Sequence, residues 1–182
     1  MPGDTLARVS THAPDLEVLD EIQQRILWLA VRMVDSANHD RGSGDGVKVG
    51  GHQASSASLV SAMTALYFAH LDAPDRVSVK PHASPVFHSI QYLLGNLDRS
   101  YLTRLRQRGG LQSYPSRTKD PDPVDFSTGS VGLGAAAPLF AAVTRRYVDD
   151  HFGALGGWVA STLVRLGDLR FAFLPAEDGS VD

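Results

Sequence analysis

Residues 50–71 read GGHQASSASLVSAMTALYFAHL, and residues 75–85 read DRVSVKPHASP. The first run predicts a helix from His52 to Leu71, with Leu59, Met63, Leu66 and Tyr67 on its apolar side. Its first turn, Ala54 to Ser58, is built of small residues that allow a neighbouring backbone or a ligand to come close. In the second run, Asp75 to Lys80 alternates polar and apolar residues, the period of a short strand. Pro81 and Pro85 bracket His82, and Pro85 suits the first turn of a helix that runs to about Leu94 and stops at Gly95. His52 and His82 therefore each stand at the mouth of a helix. A third such mouth is the glycine-rich turn STGSVGLG, residues 127–134, which opens an apolar, alanine-rich helix over Val131 to Val148.

Outward from these turns the chain is read more coarsely. Residues 1–14 are a polar leader. From Asp15, which can cap the start, Leu16, Leu19, Ile22, Ile26, Leu29 and Met33 recur at steps of three and four, predicting an amphipathic helix that ends near Asn38. Arg41 to Gly51 carries five glycines in eleven residues and reads as a surface loop. Asp98 caps a short basic helix over Tyr101 to Arg108. Gly109 to Phe126 is rich in Pro and Asp without any period, so a long ordered loop is expected, and such loops are often functional. Gly156 to Leu166 and Arg170 to Leu174 are strand-like, before a polar tail, PAEDGSVD.

The 182 residues suffice for one domain with a sizeable core, and 43% apolar with 20% charged residues is ordinary for a globular chain. A net charge of −3 gives no broad basic field for nucleic acid. Cysteine is absent, which excludes disulfides and thiolate metal sites and makes the cytoplasm the expected compartment. No apolar run reaches the length of a membrane span, and the first residues do not resemble a signal peptide.

Helix N-termini present free N–H groups and partial positive charge, which suit an anion, and a histidine there favours its neutral form. The plain alternative for His52 and His82 is a loop histidine bonded to backbone. Zinc is disfavoured because the nearest pair, His82 and His88, lacks the one-turn spacing of helical ligands. Gly129, Gly132 and Gly134 miss the spacing of a dinucleotide fingerprint, and GSGDG at 42–46 lacks the Lys-Ser/Thr pair of a P-loop. Ser55 and Ser56 form no nucleophile elbow; capping and packing are their simplest roles.

Taken in order, the Gly-Gly-His helix start, the PHASP turn, GGLQSYPS and DFSTGSVGLGAA resemble the amino-terminal part of thiamine-diphosphate enzymes of the transketolase type. The nearer likeness is to the homodimeric bacterial pyruvate dehydrogenase first component, over roughly residues 15 to 150. The resemblance implies an α/β chain: the helix-rich amino-terminal part of a thiamine-diphosphate-binding, doubly wound fold with an incomplete sheet, over residues 15–182. It implies that His52 lines the substrate channel and handles protons, with Ser55 its neighbour, and that His82 contacts the diphosphate or a bound intermediate. Lys80 stands where the family often has an amide or a small residue, and could meet a phosphate. Tyr114 would line the funnel to the site, and the backbone at Gly129, Ser130 and Val131 would meet the aminopyrimidine ring, with Val131 packed on it. Thiamine diphosphate and Mg2+ are the implied cofactors, acting on 2-oxo acids or, in the transketolase manner, on ketoses.

In that family a Gly-Asp-Gly or Gly-Asp-Ala motif and a later Asn hold the metal through hard oxygen ligands. Here Gly167-Asp168 is followed by Leu169, and none of the fourteen residues after Asp168 is Asn. Asp168 is thus the one candidate metal ligand, and the metal half-site is expected to be incomplete. The domain carrying the activating carboxylate is not matched in the sequence, so the expectation is a truncated or frameshifted piece, or one half of a split enzyme, inactive alone. Its partner would be the remainder of the enzyme or a second subunit, in a homodimer when complete. The competing expectation is a non-catalytic helical remnant that binds a partner.

Overall fold

The computed structural model describes residues 15–41, 48–71, 75–129, 131–152, 161–166 and 169–172, the last two stretches through their backbone. The leader, most of the glycine-rich loop, Gly156 to Ala160 and the polar tail lie outside the described residues.

The first helix, α1, spans Leu16–His39. Its start is capped as expected: the Asp15 carboxylate accepts the N–H groups of Glu17 at 3.0 Å and Val18 at 3.3 Å. Ile26, Ala30, Met33, Val34 and Ala37 form its buried stripe. The continuous helix expected over 52–71 is instead three pieces: α2 (Gln53–Ala57), α3 (Val60–Ala65) and a π-helical turn, Leu66–His70. The hydroxyl groups explain part of this. Ser58 Oγ donates to the Ser55 carbonyl at 2.9 Å and Thr64 Oγ1 to the Val60 carbonyl at 2.8 Å, contacts that compete with or bend a regular ladder. The apolar reading survives the breaks, because Leu59, Met63 and Leu66 are all buried.

Of the strand expected over 75–80, only Val77–Ser78 pairs, as β1. A 3-10 turn, Pro81–Ala83, then leads into α4, Ser84–Leu93, with Pro85 in its first turn. The helix ends in a Schellman arrangement: Gly95, at φ +80°, sends its N–H to the Tyr92 carbonyl, and Asn96 sends its own to Gln91. Every residue from Ser84 to Gln91 is buried, so α4 is the hub of the molecule. The helix expected over 101–108 is a 3-10 turn at Arg99–Thr103, capped by Asp98 through Ser100 N–H at 2.8 Å.

The core lies in two parts. Ile26 and Ala30 of α1, Leu59 to Leu66, Val77, Val79, and Val86, Phe87 and Ile90 of α4 form the larger. Met33, Val34 and Ala37, further along α1, meet Leu97, Leu105 and Leu111 in the smaller.

Helix α5 spans Leu133–Phe152 and contains Pro138. Proline has no N–H to offer the carbonyl four residues back. That carbonyl, of Gly134, accepts the Ser78 hydroxyl at 2.6 Å, which fastens the start of α5 to β1. The strands β2 (Ser161–Leu166) and β3 (Leu169–Ala172) complete a three-stranded sheet in the order β1-β2-β3. β1 and β2 run parallel, as in an α/β crossover, while β2 and β3 are antiparallel. The described chain is thus helix-rich with a small mixed sheet, compatible with part of an α/β fold. No helix among the described residues is long and apolar enough to cross a membrane.

Candidate functional site

The two histidines singled out in the sequence meet. The ring centroids of His52 and His82 are 4.7 Å apart, edge to face, and the Tyr114 ring lies 6.0 Å from that of His82, also edge to face. Three separate stretches of chain supply these rings, so local structure has to aim each one.

His52 is aimed by the glycine pair before it. Gly50 (φ +84°) and Gly51 (φ +128°) occupy backbone regions that side chains disfavour. A Cβ on Gly51 would stand 2.8 Å from Val34 Cγ1, so this turn lies directly on α1. Asn38 of α1 clamps it: its amide accepts the Gly50 N–H at 2.8 Å and donates to the Gly50 carbonyl at 3.2 Å. Arg106, itself at φ +58°, donates to the Val49 carbonyl at 3.0 Å from the opposite side.

His82 is aimed by the serines of α2. Ser56 Oγ donates to the His82 carbonyl at 3.1 Å, and Lys80 Nζ donates to Ser55 Oγ at 2.9 Å. These serines therefore tie one helix entrance to the other, a role beyond the capping and packing read from the sequence. Tyr114 lies in the segment 109–126, which is ordered without regular elements, as expected. Thr128 N–H donates to the Pro115 carbonyl at 3.0 Å, beside the tyrosine.

Gly51, His52, Pro81, His82, Ser84 and Arg106 line a cleft whose enclosed volume is only about 10 Å³, room for about one water. No carboxylate among the described residues lines it. His52 is exposed, while Ser55, Lys80, His82, Arg106 and Tyr114 are half-buried. The result is one wall of a site, open to solvent and lined by hydrogen-bond donors. Burial, then His52, Lys80 and Arg106, lower the His82 pKa below its usual 6.5. His82 therefore favours the neutral imidazole at neutral pH, able to take a proton or to donate its ring N–H in a hydrogen bond. Because the folded value is the lower one, this contribution to stability is present above pH 6.5 and is lost as pH falls through the depressed value. An NMR titration of the His82 ring is expected to place its midpoint below 6.5, and Lys80→Gln is expected to raise it.

Of the remaining candidates, Gly129 and Val131 lie in the turn that follows Thr128. Val131 is 89% exposed, at the start of α5, and a Cβ on Gly129 would meet nothing within 4 Å. Thr128 Oγ1 in the same turn is buried without a hydrogen-bond partner among the described residues. Ser130 and Asp168 lie outside the described residues. Among the described residues no group of three or more His, Asp or Glu could hold a metal ion.

Sequence reasoning missed Arg106, which nothing local marks, and the buried pair His88–Asp122, joined from Nδ1 to Oδ2 at 2.7 Å. His88 was weighed only as a zinc ligand. Its position in the middle of an apolar helix was the signal for a buried, partnered side chain.

No family model matches the chain. It is similar to the pyruvate dehydrogenase E1 component of Mycobacterium tuberculosis, at 35% identity over 137 residues, which is 69% of this chain and 14% of that protein. The E1 component of Cupriavidus necator is 32% identical over 152 residues, 79% of this chain and 16% of that protein. That of Escherichia coli K12 is 30% identical over 163 residues, 85% and 18% respectively. The chain thus spans between 14% and 18% of the length of these relatives.

Proposed function

We propose that this chain, which belongs to the pyruvate dehydrogenase E1 component family, is part of a thiamine-diphosphate-dependent enzyme acting on 2-oxo acids and contributes one wall of its cofactor and substrate site. The carrying observation is the convergence of His52, His82 and Tyr114 beside Lys80 and Arg106, on a wall that no carboxylate among the described residues lines. The similarity to E1 components of several bacteria supports the same reading and favours 2-oxo acids over ketoses.

Thiamine diphosphate fits this wall chemically, since an anion is met by cations and N–H donors. The volume of about 10 Å³ that the described residues enclose is far too small to surround it, and in this reading the remainder of the enzyme or a second subunit supplies the opposite wall. When bound, the cofactor supplies a nucleophilic carbon and an electron sink for a 2-oxo group. Lys80 and Arg106 provide charge for the diphosphate. Neutral His82 would take a proton from, or donate its ring N–H to, a group on the bound substrate, and His52, more exposed, stands beside it at the entrance to the wall. Tyr114 covers His82 against water. The backbone at Gly129, Ser130 and Val131 remains our candidate for the aminopyrimidine end. Mg2+ finds no ligand set among the described residues, and no step is assigned to it.

The test is calorimetric titration of thiamine diphosphate with Mg2+ onto the chain combined with the remaining part of a homologous E1 component. His82→Ala is expected to weaken binding about tenfold, the loss of one hydrogen bond to a charged group. Equal affinity in wild type and variant would sink the assignment of His82. No heat at all would favour a second reading, a partner-binding piece without catalysis. That reading draws on Phe140, Val143 and Tyr147, an exposed apolar stripe along α5.

A further inference from the structure

The segment 109–126 is held by three carboxylates, Asp122 buried and Asp120 and Asp125 half-buried. Asp120 accepts the Gln112 N–H through one oxygen and the Ser116 N–H through the other, both at 2.7 Å. Those two residues flank Tyr114 at two positions before and two after. Asp122 meets His88 Nδ1 at 2.7 Å, with both side chains fully buried. Asp125 accepts the Val77 N–H at 2.9 Å and pairs with Arg76 at 3.5 Å.

This arrangement is a poor way to gain stability. His88 Nε2 and Asp122 Oδ1 are buried without a hydrogen-bond partner among the described residues. A buried polar pair left half-satisfied contributes less than apolar side chains of the same volume. Burial also raises the Asp120 pKa, outweighing the two N–H groups that lower it. What the arrangement does specify is position. α4 presents His82 just before its first residue and carries His88 within it. Bonding Asp122 to His88 therefore registers the segment on the same helix that presents His82, and Asp120, two residues earlier, sets the turn that carries Tyr114.

We propose that Asp120 is a positioning residue: seated by the buried His88–Asp122 bond, it brackets the turn from Gln112 to Ser116 and holds the Tyr114 ring against His82. The functional weight of that contact rests on the reading of His82 and Tyr114 as site residues. The contact itself is a property of this chain alone.

The experiment is an NMR titration of the His82 ring in the full chain without cofactor, in wild type, Tyr114→Ala, Asp120→Ala, Asp120→Asn and the Tyr114→Ala/Asp120→Ala double variant. The charged groups that lower the His82 pKa, namely His52, Lys80 and Arg106, are untouched in all of them. Tyr114→Ala uncovers His82 and is expected to raise its midpoint toward 6.5. Asp120→Ala should give the same rise, and the double variant no more than either alone. Asp120→Asn, which keeps one acceptor oxygen, should fall between. A merely structural Asp120 would lower the melting temperature and leave the His82 midpoint where it was, which overturns the proposal, as does a Tyr114→Ala midpoint identical to wild type. Should Asp120→Ala fail to fold, Asp120→Asn decides, and a wild-type midpoint there overturns it. Because no cofactor is present, a chain that binds none can still pass or fail this test.

Discussion

Phe87→Ala is expected to lower the free energy of unfolding by about 3–5 kcal/mol, read as a fall in the urea midpoint at unchanged slope. Phe87 is 2% exposed in the middle of α4 and belongs to the larger part of the core. Its ring stands edge to face with Tyr67 at 6.3 Å and with His88 at 5.4 Å. Truncation removes the contact that joins the π-helical turn after α3 to α4, and leaves a void between elements that α1 holds in place. A domain of this size has roughly 5–15 kcal/mol in total, so the loss is a large share. The effect should reach the site, since α4 presents His82 and carries the His88–Asp122 bond. Phe87→Leu should recover much of the loss, because volume rather than aromatic character is what the position mainly needs. A loss below about 1 kcal/mol for Phe87→Ala would mean that the neighbours close the void, and that α4 is not the hub described above.

Gly110→Ala is the second large effect, and it acts by overpacking. A Cβ there would lie 2.1 Å from the Arg104 carbonyl oxygen and 2.8 Å from Arg104 Cβ. The first neighbour is backbone and cannot swing aside. That same carbonyl accepts the Leu111 N–H at 3.1 Å, and the Leu111 carbonyl accepts the Arg106 N–H at 2.7 Å. Relieving the clash breaks this small bridge, shifts the fully buried Leu111 and releases the backbone of Arg106. Overpacking of roughly 1–3 kcal/mol and a hydrogen bond of about 1 kcal/mol together give about 3 kcal/mol. Gly95→Ala is the control. Its φ of +80° carries the left-handed penalty of about 1–2 kcal/mol, but a Cβ there would meet nothing within 4 Å. Thermal denaturation of the two variants should rank Gly110→Ala clearly below Gly95→Ala; the reverse order would remove the steric argument.

Helix α1 was legible because its signal is local: an Asp cap, then apolar residues every three or four positions over a long run. The ends of α4 were legible for the same reason, from Pro85 and Gly95, residues whose own backbone preferences start and stop helices. The stretch from His52 to Leu71 was legible in its apolar face but not in its breaks. Those depend on which serine and threonine hydroxyls turn back onto the chain, and on what packs opposite, which composition does not encode. β1 proved shorter than its alternation suggested, since pairing needs a partner, β2, more than eighty residues away in sequence.

For the candidate site the sequence by itself determined the residues and their local stage: two histidines after glycine or proline turns, a tyrosine in a proline-bounded loop, and small residues around them. That they face one another was decided by tertiary structure alone. The bonds responsible span long sequence distances: Asn38 to Gly50, Ser55 to Lys80, Ser56 to the His82 carbonyl, His88 to Asp122 and Arg106 to Val49. Each needs a donor and an acceptor that only packing brings within 3.2 Å. A periodic pattern reports what a residue's own turn of helix or strand requires, whereas these pairings report what the assembled core leaves within reach.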